Sequence, residues 1–131
     1  MRVFVQKQFD RWAADSGLTE TVLMQAAIEA FAGQVDGDLG GFLFKKRIAR
    51  AGGGKSGGFR TILCFRKANS DRIFFLYGFP KNDKGNISAR EEKNLKLVAK
   101  FLVDVNDAQL DALEEYGEMR ELKGVENEKK Q

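Results

Sequence analysis

Between Leu43 and Lys81 the chain carries Lys45, Lys46, Arg47, Arg50, Lys55, Arg60, Arg66, Lys67, Arg72 and Lys81 against a single acid, Asp71. Ten cations against one acid give this stretch a charge of +9; the whole 131-residue chain is only +3, so the remainder carries −6. Segregated positive charge makes a field that draws in phosphates, whereas interspersed charge mainly keeps a surface soluble. The plain alternative is a solvated sheet edge on which lysines discourage aggregation. Arg60 and Lys46, however, fall mid-strand beside apolar neighbours, and so lopsided a balance is unlike an ordinary mixed-sign surface. Contact with phosphate or nucleic acid is the chemistry these residues favour.

Other chemistries are narrowed by what is missing. The chain has no histidine and one cysteine, Cys64, set in the apolar run from Thr61 to Phe65. The usual zinc, haem, Ser-His and Cys-His arrangements lose their key ligand or base, and one cysteine forms no internal disulfide. Cys64 reads as a small buried hydrophobe. Catalysis would rest on Lys, Arg, Tyr, Asp or Glu, with no metal and no cofactor. The run Ala49-Arg50-Ala51-Gly52-Gly53-Gly54-Lys55-Ser56 fits a relaxed phosphate-loop pattern. Such a loop must open a helix whose amino end holds the phosphates. Here Gly57-Gly58 and a β-rich run follow instead, so no nucleotide cofactor is expected, and the glycine-rich stretch 52–58 reads as a mobile hairpin loop.

The elements that must position these residues follow from spacing. Residues 1–5 read as a short strand. Phe9, Trp12 and Ala13 give a helix ended by Gly17, and Thr19 caps a second helix running to about Ala32. Asp36 to Gly41 reads as a loop. Three strands follow over 43–49, 59–67 and 72–80, the last two joined by the polar turn Ala68-Asn69-Ser70-Asp71. Phe59, Thr61, Leu63 and Phe65 alternate with Arg60, Ile62, Cys64 and Arg66, while Ile73, Phe75, Tyr77 and Phe79 alternate with Phe74, Leu76 and Gly78. Both faces are apolar at the centre, which places this hairpin inside the sheet, with helices over one face and partial cover on the other. Ser88 with Glu91, and Asn106 with Gln109, have capping-box spacing and open two further helices; Leu95, Val98, Ala99 and Leu102 form the buried stripe of the first. This is a single α+β domain over 1–117, with a charged tail, 118–131, expected to fray. No apolar run approaches the roughly 20 residues of a membrane span, and the first strand turns polar at Gln6, too soon for a signal peptide. A cytoplasmic protein without membrane contact is expected.

Three segments, in order and on the expected elements, resemble the RelE/HigB-type toxins of bacterial type II toxin-antitoxin modules, in the RelE/ParE superfamily. Gly57-Gly58-Phe59-Arg60-Thr61-Ile62 looks like the family's glycine-aromatic-arginine strand. Phe44-Lys45-Lys46-Arg47-Ile48-Ala49-Arg50 resembles the basic strand before it, and Tyr77-Gly78-Phe79-Pro80-Lys81-Asn82 the strand end with its trailing basic pair, Asn82 standing where many members have a second cation. The similarity runs from about residue 1 to 103, and the inferred order of elements is RelE-like.

The resemblance implies a ribosome-dependent endoribonuclease that cleaves mRNA in the decoding site and is neutralised by a cognate antitoxin, often a helix-turn-helix protein. Attack of a 2′-hydroxyl on the adjacent phosphate needs proton removal, stabilisation of extra negative charge and protonation of the leaving oxygen. By motif, Arg60 would hold the scissile phosphate and Lys46 would act as base or electrostatic stabiliser. Lys81 would give a second phosphate contact or the proton. Tyr77 would stack on a base if it faces the cleft, its other reading being an ordinary core aromatic beside Phe75 and Phe79. Lys45, Arg47, Arg50, Lys55 and Asn82 would contact RNA. Ribosome and mRNA are then the partners besides the antitoxin. Two alternatives share the fold: a ParE-like toxin that binds a protein and inhibits gyrase, and a nucleic-acid-binding domain without catalysis.

Overall fold

The computed structural model describes residues 1–49, 58–68, 70–81 and 86–123. The order is β1 (Arg2–Gln6), α1 (Lys7–Asp15), α2 (Glu20–Phe31), β2 (Gly37–Gly40), β3 (Leu43–Ile48), β4 (Phe59–Cys64), β5 (Arg72–Pro80), α3 (Ala89–Val103), α4 (Asp107–Glu115) and β6 (Met119–Glu121). Side-chain caps set the helix starts as their spacing predicts. Glu91 N–H donates to Ser88 Oγ at 3.1 Å and Ser88 N–H to Glu91 Oε1 at 2.8 Å; Asn106 and Gln109 exchange the same pair at 2.7 and 2.9 Å. Thr19 Oγ1 accepts from Val22 N–H at the head of α2. Gly17, just past α1, takes the left-handed conformation, with φ +78°.

The strands form one mixed six-stranded sheet in the order β2-β3-β4-β5-β1-β6. The meander β3-β4-β5 is antiparallel, β1 runs parallel to β5, and β4 and β5 lie centrally, as their two apolar faces require. One face packs Val3, Val5, Leu63 and Phe75 against α1 and α2; the other packs Phe4, Ile62, Phe74 and Phe79 against α3 and α4. The second face is thus covered by a layer of two helices rather than partly. Among the described residues no helix is long and apolar enough to cross a membrane.

The structure corrects the sequence reading at three elements. Gly37–Gly40, expected as loop, is strand β2 at one edge of the sheet, paired antiparallel with β3. At the other edge, Met119–Glu121 is strand β6 on β1, within the segment expected to fray from Glu118. Arg2 grips Glu121 through Nε and Nη2 at 3.1 and 2.9 Å, Arg120 grips Asp10 and Glu20, and Leu122 N–H donates to Val3 O at 2.8 Å. The hydrogen bond from Arg2 holds the Glu121 carboxyl below its ordinary value, and that from Arg120 does the same for Glu20. Met119 and Leu122 are buried in opposite cores. Glu118, Arg120 and Glu121 are therefore partners of the amino-terminal half, while 124–131, the rest of the segment expected to fray, lie outside the described residues.

The third correction is a bulge. Pairing of β4 with β5 runs Ile62 to Tyr77 and then Leu63 to Phe75, leaving Leu76 as an extra residue. An extra residue resets the two-residue alternation. Ile73 and Phe75 face α1 and α2, but Tyr77 and Phe79 are turned to the face of α3. Gly78 then faces α1, where a Cβ would come within 2.2 Å of the Trp12 ring. Gly78→Ala is expected to cost about 1–3 kcal/mol through overpacking, read as a lower midpoint in urea unfolding followed by Trp12 fluorescence.

Candidate anion-binding site

Strand register brings three of the cations together. Arg47 pairs with Arg60 across β3 and β4, and Arg60 with Phe79 across β4 and β5, so the three side chains lie abreast on the face of α3. Lys45, Ile62 and Tyr77 form the adjoining row. Lys81 follows β5, its N–H donating to Gly58 O at 3.0 Å. Arg47, Arg60 and Lys81 line one hollow of about 380 Å³ at this end of the meander, together with Asp36 and the backbone turn around Ala49 and Gly58. Lys45 sits beside it, against Gly37.

Two arginines directly opposite on neighbouring strands repel, which destabilises a sheet unless an anion lies between or above them. No acid pairs with Arg47, Arg60, Lys45 or Lys81 among the described residues. Arg60 Nε is also buried without a hydrogen-bond partner. An unmet guanidinium donor is costly in isolation and suits a phosphate, whose oxygens match the fork of arginine. Among the described residues the one carboxylate lining the hollow is Asp36, whose Oδ2 accepts Arg47 N–H at 2.7 Å.

The other cations of the basic stretch are divided from this group by their partners. Arg66 reaches Asp104 and lies over the Phe42 ring at 5.3 Å, and Arg72 reaches Asp107 and donates to Val105 O at 2.7 Å. Both tie the sheet to the segment between α3 and α4. Lys46, expected to act beside Arg60, sits opposite Thr61 on the other face of the sheet. It is 8% exposed, and its Nζ donates to Glu29 Oε1 and to Gln34 O, each at 2.9 Å. Although Lys46 borders the hollow, its ammonium is committed to α2 and the turn after it. That hydrogen bond is the main reason the Glu29 carboxyl titrates below its ordinary value. Lys46→Met is expected to lose about 2 kcal/mol of stability by stranding Glu29 and the Gln34 carbonyl. Thermal unfolding with and without Glu29→Gln would measure that coupling.

Tyr77 shares the face of Arg60, but its hydroxyl lies 3.2 Å from Glu91 Oε2 on α3, and its ring packs on Phe79 with centroids 5.8 Å apart. It borders a smaller hollow of about 180 Å³ with Glu91, Asn94 and Leu95. It is thus joined to α3 while standing diagonal to Arg60. Arg50, Lys55 and Asn82 lie outside the described residues. Asp36 is the group the sequence reading missed: it sits in a stretch read as loop, and only the pairing of Asp36 N–H with Lys45 O brings it to the end of β3. Its position directly before Gly37 was the available signal.

Across residues 1–122 the chain matches the family model described as the RelE toxin of the RelE/RelB toxin-antitoxin system. No curated protein matches it. The matched residues include all six strands, those lining the hollow and Leu122. The chain belongs to the RelE toxin family, as the toxin of a module whose other member is an antitoxin.

Proposed function

We propose that this toxin is a ribosome-dependent endoribonuclease that cleaves mRNA by attack of a 2′-hydroxyl on the adjacent phosphate. The observation that carries the reading is the Arg47–Arg60 cross-strand pair, which among the described residues has no acid paired with it and leaves Arg60 Nε buried and unmet. In this mechanism Arg60 and Arg47 hold the scissile phosphate and stabilise the charge that builds on its oxygens. Lys81 supplies the proton to the departing 5′ oxygen, and Asp36, the carboxylate of the same hollow, takes the proton from the 2′-hydroxyl. The products are a 2′,3′-cyclic phosphate and a 5′-hydroxyl end. Tyr77, half-buried and backed by Phe79, offers an aromatic ring for the neighbouring base. Lys45 contacts RNA from the next row, and Arg50, Lys55 and Asn82 are assigned RNA contacts on the resemblance. Lys46 is given a positioning role, holding α2 and the turn before Asp36 against β3. The target places the protein in the cytoplasm, and the antitoxin is of the helix-turn-helix kind.

The test is cleavage in a translating extract with the cut ends mapped. Cuts confined to translated message, bearing cyclic phosphate, are expected. Intact message together with inhibited gyrase supercoiling would replace this reading with a ParE-like one. Salt-sensitive RNA binding with no cuts anywhere would leave a binding domain without catalysis.

A further inference from the structure

Helix α3 is apolar on two sides. Leu95, Ala99 and Leu102 form its inner stripe, with Ala99 and Leu102 buried against the sheet. Asn94, Leu97, Val98 and Phe101 stand at i, i+3, i+4 and i+7 on the outer side, where Leu97 is 65%, Phe101 50% and Val98 42% exposed. Val98 is therefore not part of the inner stripe the spacing had given it. An amphipathic helix needs one apolar stripe to join its own core. The second matches the seam that one helix presents to another.

The stripe has a hollow at each end. Leu97, Lys100, Phe101, Asp104 and Gln109 line one of about 450 Å³ between α3 and α4, and the Tyr77-Asn94-Leu95 hollow of about 180 Å³ lies at the other. The second hollow shares Tyr77 with the cation-bearing face. The charge around the stripe is mixed, but its acids are engaged. Glu92 is bonded to Lys96 at 3.0 Å, Asp104 to Arg66, and Glu91 is engaged at the Ser88 cap. Arg90, Lys93 and Lys100 have no ion pair among the described residues.

We propose that the outer stripe of α3 is a docking seam for an amphipathic helix of the antitoxin, with apolar anchors in the two hollows and acidic residues beside Arg90, Lys93 and Lys100. Self-association through this stripe as an antiparallel two-fold pair would set the basic flank of one copy against the same flank of another. An acidic partner removes that repulsion. Two exposed aliphatic side chains at the centre of the seam favour a helix over RNA as its occupant. Asn94 to Phe101 spans about 10 Å at 1.5 Å per residue, so two to three turns of partner cover it. From its Tyr77 end the partner chain can continue across Arg60 and Arg47.

The inference stands on the toxin and antitoxin of the family and does not depend on how the toxin kills. Its test uses the antitoxin, identified as the co-expressed protein that restores growth to cells making this chain. Leu97→Glu/Phe101→Glu is expected to remain toxic and to bind that antitoxin at least tenfold more weakly, so that co-expression no longer rescues growth. Lys93→Glu/Lys100→Glu, which keeps Leu97, Val98 and Phe101 in place, is expected to weaken binding several-fold and flatten its salt dependence; it carries the test if the first variant fails to fold. Unchanged affinity and full rescue in the folded variants overturn the proposal. Loss of toxicity with antitoxin binding intact overturns it too, assigning the seam to the target. So does a dimer of the chain alone that the first variant dissolves.

Discussion

Replacing Arg60 by alanine is expected to lower the rate of message cleavage by about 10²- to 10³-fold, the usual cost of removing one charged donor aimed at a developing oxyanion. The same change is expected to leave the fold as stable as before, or more so. Arg60 faces Arg47 across the sheet and buries an unmet Nε, so alanine relieves a repulsion and a desolvated donor at once. Arg60→Lys should rescue little, because a point charge cannot grip two phosphate oxygens as the guanidinium fork does. Lys46→Met makes the opposite pattern: lower stability, with cleavage per folded molecule within a few-fold of native. Single-turnover cleavage and urea unfolding on the three proteins separate a group that meets the phosphate from one that holds the scaffold. A scaffold role for Arg60 would show as equal losses in both measurements.

Ending the chain at Gly117 is expected to cost about 3–6 kcal/mol, since burying a methionine or leucine side chain contributes roughly 1.5–3 kcal/mol each and both Met119 and Leu122 are buried. The truncation also strips β6 from the edge of β1 and leaves Arg2, Asp10 and Glu20 without Glu121 and Arg120. A loss of that size approaches the whole stability of an ordinary domain, about 5–15 kcal/mol. Urea titration, or the soluble yield on expression, would show it. Leu122→Ala alone should cost about 2–4 kcal/mol. Native unfolding behaviour in the truncated chain would mean that the last strand contributes nothing.

What could be read from the sequence was what is decided within a few residues. The two capping boxes, the glycine after α1 and the two-residue alternation of the meander strands β3 and β4 are all local patterns, and each formed where its spacing placed it. The charge segregation was legible as well, but not its division into structural and unpaired cations. Lys46 finds Glu29 seventeen residues away, and Arg66 and Arg72 find Asp104 and Asp107 across the sheet; no local pattern marks such partners. The bulge at Leu76 was equally invisible, because alternation in Ile73–Phe79 looks unbroken when written as a line. It moved Tyr77 from the helices α1 and α2 to α3. Strand β6 escaped because Met-Arg-Glu is three residues long and charged, and its stability comes from Arg2 and Asp10 at the far end of the chain.

Because β6 zips onto β1, the first strand to leave the ribosome finds its outer neighbour only after every other described element has been made. While residues 119–122 are still inside the exit tunnel, β1 has an open edge and both cores lack a side chain. The sheet is therefore completed last, when β6 has emerged. The toxin thus passes through an interval with one open sheet edge and two incomplete cores, in which a partner already present can meet the new chain first.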